Sequence, residues 1–224
     1  MQRHFDQELG DLKEKLLTMA GHANASVSDA IKSLVERDDA MADSVKRRDD
    51  VLDQLEMEVD EQAIHLLSKA PLATDLRLIT VAMKISHDLE RVGDEATAIA
   101  KRAIELNAEP QLKPYVDISR MAAMALEMLH EALESFVHRD TAKARAVIPR
   151  DKDVDALNKQ LHRELASYMI EKPTTITRCL NLMTISKRLE RIADHATNIA
   201  EEVVYLYEAK DIRHGGAAAA PAAP

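Results

Sequence analysis

Residues 87–101 read His-Asp-Leu-Glu-Arg-Val-Gly-Asp-Glu-Ala-Thr-Ala-Ile-Ala-Lys, and residues 187–201, Lys-Arg-Leu-Glu-Arg-Ile-Ala-Asp-His-Ala-Thr-Asn-Ile-Ala-Glu, repeat them 100 positions later. Aligned at that offset, Met83–Ala100 and Met183–Ala200 share 11 of 18 residues. Self-similarity at a fixed period marks an internal duplication. Upstream the offset becomes 102 and holds: Pro71 pairs with Pro173, Asp53 with Asp155, Asp49 with Asp151, Arg37-Asp38 with Arg139-Asp140, and Met19-Ala20 with Met121-Ala122. The expected units are residues 1–108 and 109–214, with a seam near Asn107–Pro114, followed by a tail at 215–224.

Each unit has the periodicity of helices. Phe5, Leu9, Leu12, Leu16, Met19, Ala23, Val27, Ile31 and Leu34 recur at three- and four-residue intervals, so His4–Glu36 reads as one long helix. Asp38 and Asp39 suit the N-cap of a second helix, about Ala40–Lys69, which Pro71 ends. Thr74 is placed to cap a third, Asp75–Leu106. The second unit repeats the plan in Tyr115–Val137, Thr141–Glu171 and Thr175–Tyr207. Pro149 falls inside the fifth helix, where the first unit has Arg47, and predicts a kink there or a start moved to about Arg150. The last ten residues, GGAAAAPAAP, offer nothing to pack and are expected to be disordered. The fold expected is all-α: two tandem antiparallel three-helix bundles related by duplication.

Composition agrees. The chain has 224 residues, 46% hydrophobic but only 3% aromatic, with 5 Gly and 10 Met, which suits aliphatic packing between helices. No apolar run approaches the roughly 20 residues of a membrane span. The polar start MQRHFDQELG is unlike a secretory leader. A single cysteine, Cys179, excludes an internal disulfide framework and fits a reducing cytoplasm. A net charge of -9 argues against nucleic-acid binding, which needs a concentrated basic face, and suits cations or basic partners instead.

The acids are patterned. On the third helix His87, Glu90, Asp94 and Thr97 fall opposite the apolar stripe, as do Lys187, Glu190, Asp194 and Glu201 on the last. The second helix carries Asp49, Asp53, Glu56 and Asp60, and the fifth Asp151, Asp155, Asn158 and His162, at matching spacing. Carboxylates at i and i+4 lie one turn apart and can share a hard cation. Two such pairs on adjacent helices would surround one site with four carboxylates, a donor set suited to Fe, Mn, Mg or Ca. An acidic pair on a helix face is ordinarily only solvated surface. Like charges at that spacing cost about 0.2–0.5 kcal/mol, however, and here the arrangement occurs twice.

Other constellations are weaker. Glu127-x-x-His130 resembles a ferritin-type step, but the first unit has Ala25 and Ser28 there, so it reads as a surface pair. Cys179 lies on an apolar face and reads as core. Arg77 with Arg178, and Arg91 with Arg191, read mainly as neutralising neighbouring acids. No Gly-rich phosphate loop, GxSxG, HExxH or CxxC is present. A di-metal carboxylate oxidase or hydrolase is the rival reading, but it needs an enclosed pocket, and outward-facing acids do not provide one.

The duplicated three-helix unit, DxxxD on one helix, P-x-x-x-D-L-R-L at Pro71–Leu78, and LERxxD at Leu89–Asp94 and Leu189–Asp194 together resemble the PhoU family, from about His4 to Gly216. The resemblance implies a cytoplasmic, often dimeric protein that binds clusters of Fe, Zn, Mg or similar metals. Its metal residues would be Asp49, Asp53, Glu90 and Asp94 in the first half, and Asp151, Asp155, Glu190 and Asp194 in the second. It also implies negative regulation of phosphate uptake and of the phosphate-starvation response, by connecting a phosphate ABC transporter to a membrane sensor histidine kinase. The second-half ladder departs from the first at Asn158 and His162, which points to a weaker site or to an ion that accepts imidazole.

Overall fold

A computed structural model describes residues 2–69 and 72–213. Its helices are α1 (Gln2–Val35), α2 (Asp39–Leu67), α3 (Ala73–Asn107), α4 (Val116–His138), α5 (Thr141–Val147), α6 (Asp151–Glu171) and α7 (Ile176–Glu208), and no strand occurs among the described residues. Helices α1–α3 form one bundle; α4, α5–α6 and α7 form the other. Pro71 and the 215–224 tail lie outside the described residues.

The duplication is visible in the turns. Arg37 and Arg139 both adopt left-handed backbone (φ 59° and 57°). In each turn the following aspartate sends its N–H back to a serine carbonyl, Asp38 to Ser33 and Asp140 to Ser135, both at 2.9 Å. Each aspartate then caps the next helix: Asp38 accepts from Met41 N–H and Asp140 from Lys143 N–H, both at 2.9 Å. Two adjoining helix ends are thereby satisfied within one tight turn.

One expectation needs revision. Thr74 is not a cap: α3 already starts at Ala73, and Leu72 occupies the N-cap without a side-chain hydrogen bond. Of the two outcomes expected at Pro149, the moved start is the one found, with a short helix left before it. α5 stops at Val147, a 3₁₀ turn spans Ile148–Arg150, and α6 restarts at Asp151. Pro149 lacks an N–H and its ring crowds the carbonyl four residues back, so the α-helical ladder cannot pass through it. The break places Asp151 in the first turn of α6.

The two bundles share one continuous apolar core, running from Leu9, Leu12 and Leu16 through Ile85, Leu89 and Ile99 to Leu189, Ile192 and Ile199. Helices α3 and α7 are at its centre. Each packs on two partners of its own bundle and on the other central helix. They run antiparallel: Arg77 donates to Leu206 O (3.4 Å), Lys84 pairs with Glu202 (3.0 Å) and Arg188 with Glu95 (3.0 Å), so residue numbers rise on one helix as they fall on the other.

Candidate metal centres

Two acid clusters lie in corresponding grooves, one between α2 and α3 and the other between α6 and α7. The expectation that these acids face away from the bundle needs correction. Glu90 keeps only 12% of its side-chain surface in solvent, and Glu190 is buried. A central helix is covered on several sides, so the side opposite its apolar stripe abuts the neighbouring helix of its own bundle.

In the first cluster, burial raises the Asp49 carboxyl above its ordinary range, and repulsion from Asp94 and Asp53 adds to this. Glu90 is raised by burial first, then by Asp94, with Glu56 and Asp53 contributing. The groove therefore brings Asp49, Asp53, Glu90 and Asp94 within electrostatic reach of one another. The Thr97 hydroxyl stands near Asp49 without well-formed hydrogen-bond geometry. Arg91 holds the outer edge, with Nη1 2.8 Å from Asp94 Oδ2 and Nε 3.1 Å from Glu90 Oε2.

Gly93 permits the close approach of α2 to α3. A Cβ built there would run into Leu52 Cδ1 and meet Asp49 Oδ1 at 3.4 Å. The counterpart in the second half is Ala193.

In the second cluster Asp194 is pushed up to about 6, by burial and then by Asp151 and Glu190. Asp151 is raised by burial, Asp155 and Glu190, while the neighbouring Asp194 carboxyl offsets part of the rise. All four acids named from the sequence again converge. Asp194 as a residue is exposed, so the cluster opens to water on one side.

These donor sets fit a bound cation. Asp151 Oδ1 is buried with no hydrogen-bond partner. Glu90 Oε2 and Glu190 Oε2 are buried too and make no hydrogen bond; each meets a cation only as an ion pair, from Arg91 and from Lys187 respectively. Buried carboxylate oxygens lacking donors are costly unless something positive occupies the space between them. Hard oxygen-preferring ions would supply that charge.

The remaining candidates resolve differently. His162 Nε2 lies 3.1 Å from Ser186 Oγ and 3.3 Å from Met183 O, so that nitrogen is engaged away from the acids. Asn158 is buried and accepts from Ser186 Oγ at 2.8 Å. Cys179 is core, as expected. Glu127 pairs with Arg150, and His130 lies 3.5 Å from Glu134, so Glu127-x-x-His130 forms no joint site. Arg77 and Arg178 donate to backbone carbonyls, of Leu206 and Pro110, rather than to acids, whereas Arg91 and Arg191 do pair with acids. Sequence reasoning missed the meeting of Glu56, His87 and Glu90, whose ligand atoms all lie within 4.8 Å of one another. It also missed the inter-bundle pairs that Glu95 and His195 make. The one signal for the latter was that these two residues occupy equivalent repeat positions.

Among the described residues no helix is long and apolar enough to cross a membrane. The cavity beside the first cluster, about 590 Å³ and lined by Glu56, Asp60, Lys84, His87, Glu202 and Arg213 among others, is an open groove rather than an enclosed chamber.

The PhoU domain model matches residues 16–103 and again 118–203. A Pseudomonas aeruginosa protein named as a phosphate-specific transport system accessory protein PhoU homolog is 41% identical over 216 residues, covering 96% of this chain and 89% of its own. The crystal structure of PhoU from Pseudomonas aeruginosa superposes with a TM-score of 0.89 at 40% identity, covering 92% of this chain and all of that one. That of the phosphate transport system regulatory protein PhoU from Streptococcus pneumoniae gives 0.87 at 29% identity, covering 92% and 98%. With both repeats matched and the fold shared over nearly its whole length, this chain belongs to the PhoU family.

Proposed function

We propose that this protein is a non-enzymatic, metal-binding negative regulator of phosphate uptake and of the phosphate-starvation response. It acts as a cytoplasmic homodimer at the inner face of the membrane, between a phosphate ABC transporter and its sensor histidine kinase. The relatives' names support the transport role. The observation that carries the metal reading is the pair of four-carboxylate clusters, Asp49/Asp53/Glu90/Asp94 and Asp151/Asp155/Glu190/Asp194, in which buried Asp151 Oδ1 has no hydrogen-bond partner and buried Glu90 Oε2 and Glu190 Oε2 have only an ion pair each.

A bound Fe, Zn, Mg, Mn or Ca ion would supply the positive charge that each cluster lacks. The carboxylates themselves grip α2 against α3, and α6 against α7, once their repulsion is cancelled. Without a counter-ion each groove keeps its packing and its polar contacts, His87–Glu56 in one and Asn158–Ser186 in the other, but is strained by like charges. Metal loading thereby sets the stiffness of two surface grooves, and stiffness decides how well such a surface docks on a partner.

The test is metal content by plasma mass spectrometry on tag-free, chelator-free protein, beside Glu90→Ala/Asp94→Ala and Glu190→Ala/Asp194→Ala. Each variant is expected to lose about half the metal and stay helical, in keeping with removal of one of two independent clusters. Equal metal content in all three samples would remove the site assignment. Pull-down of transporter and kinase by metal-loaded but not stripped protein tests the adaptor role.

A further inference from the structure

We propose that the first half carries a mixed imidazole–carboxylate metal position, Glu56–His87–Glu90, and that the second half lacks it because the ammonium of Lys187 stands in its place. This rests on the metal reading of the neighbouring carboxylate clusters and makes the two halves unequal.

The geometry is specific to three residues on two helices. Glu56 comes from α2; His87 and Glu90 come from consecutive positions on one face of α3. Their ligand atoms all lie within 4.8 Å of one another, and His87 Nδ1 is 3.1 Å from Glu56 Oε1. Donors on one ion with bonds of about 2.0–2.2 Å stand roughly 3–3.6 Å apart, so closure needs only small side-chain rotations. The position has a buried side and an open one: Glu90 is 12% exposed, Glu56 27% and His87 58%, so an ion can enter from solvent past the imidazole. A simple His87–Glu56 surface pair does not involve Glu90, whose buried Oε2 makes no hydrogen bond and meets only Arg91, as an ion pair at 3.1 Å.

The repeat supplies an internal comparison. Glu56 corresponds to Asn158 and His87 to Lys187, while Glu90 and Glu190 are the same residue type. Asn158 accepts from Ser186, and Lys187 Nζ makes an ion pair with Glu190 Oε2. The second half thus has neither the carboxylate nor the imidazole. Glu90 Oε2 meets Arg91 Nε at 3.1 Å and has Glu56 and His87 beside it as further donors, whereas Glu190 Oε2 meets the ammonium that stands in the histidine's place.

The donor set defines the ion. Imidazole with two carboxylates favours Zn²⁺, Fe²⁺ or Mn²⁺ over Mg²⁺ or Ca²⁺, which take oxygen alone. Glu90 belongs both to this position and to the Glu90–Asp94 pair, so an ion here adjoins the first carboxylate cluster.

Chelator-stripped full-length protein is titrated with Zn²⁺ alone, and separately with Cu²⁺ for electron paramagnetic resonance, where an imidazole ligand shows nitrogen splitting. His87→Gln and Glu56→Gln are each expected to weaken one Zn²⁺ equivalent by about tenfold or more, and His87→Gln to abolish nitrogen splitting. Asn158→Glu/Lys187→His is expected to add one equivalent. Unchanged zinc binding and unchanged splitting in His87→Gln overturn the proposal. If Glu190→Ala/Asp194→Ala still lowers metal content in that case, the carboxylate clusters stand and only the imidazole position fails. If His87→Gln lowers zinc while Glu190→Ala/Asp194→Ala does not, the imidazole position stands and the second cluster fails.

Discussion

Glu95 on α3 and Arg188 on α7 form an ion pair across the two halves, Nη1 to Oε2 at 3.0 Å, and Arg191 completes it from the other oxygen, also at 3.0 Å. At the corresponding place on the other side of the seam, His195, the repeat partner of Glu95, lies 2.8 Å from Asp88, the repeat partner of Arg188. The duplication keeps the contact but exchanges the residue types, so that in both places α3 supplies the carboxylate and α7 the basic side chain.

Glu95 is 7% exposed at its side chain, while its two arginine partners are 34% and 51% exposed. Losing one arginine leaves the carboxylate paired; losing both leaves a buried charge alone. Arg188→Ala or Arg191→Ala is expected to cost about 1 kcal/mol and the double variant about 3, more than the sum. Adding Glu95→Gln to the double variant should recover part of the loss. Urea denaturation with an unchanged m-value is the measurement, and strict additivity would contradict the shared-carboxylate geometry.

Asp194, raised to about 6, gives a pH signature. Its folded form binds a proton more readily than its unfolded form, so stability falls as pH rises from about 4 to 6. Metal-free protein should therefore melt higher at pH 5 than at pH 7. Asp194 is exposed, and after allowing for solvent screening the difference is about 1 kcal/mol. Asp49, Glu90 and Asp151 are shifted in the same direction and add to it. Asp194→Asn should stabilise the stripped protein at pH 7, flatten the pH trend and weaken metal binding. In the parent, metal affinity should drop as pH falls through 6. Thermal melts with and without chelator give both readings.

Gly93→Ala should destabilise the protein, although alanine favours the helix by about 1 kcal/mol. The new methyl meets fully buried Leu52, and overpacking of that kind costs about 1–3 kcal/mol. Because Asp49 Oδ1 borders the same space, first-cluster metal affinity should fall as well. Ala193→Gly, its counterpart, should lose both helix propensity and the packing of one fully buried methyl, about 2 kcal/mol in all. Calorimetry alongside zinc titration separates the packing effect from the ligand effect.

The paired caps predict matched losses. Asp38→Ala and Asp140→Ala each remove a side-chain acceptor for a helix N-terminus and should cost about 1 kcal/mol apiece, independently of one another. Arg139→Gly should gain up to about 1 kcal/mol from its left-handed backbone, less whatever the Arg139–Tyr207 ring contact contributes. Denaturant midpoints for the three variants check the signs.

Much of the fold was legible in the chain because helix formation and core burial are local and periodic. Leu12, Leu16, Met19, Val27 and Leu34 recur at helical spacing and are all fully buried. The repeat offset aligns Arg37-Asp38 with Arg139-Asp140, the two matching turns. Pro149 encodes a break but not its form, because whether a helix kinks or restarts depends on how the residues beyond it pack. Thr74 does not cap α3, since a cap residue is fixed by where the preceding loop delivers the chain.

The sequence alone determined the repeat, the all-helical architecture and the eight acids, since these follow from residue type and spacing along one axis. Tertiary structure alone decided that Glu90 is mostly withdrawn and Glu190 buried in a groove rather than turned to solvent, that His87 meets Glu56 while Lys187 meets Glu190, and that Glu95 finds Arg188. Those facts depend on the rotation and approach of one helix against another. They are set by packing many residues at once, through contacts such as Gly93 against Leu52, and no spacing along a single helix encodes them.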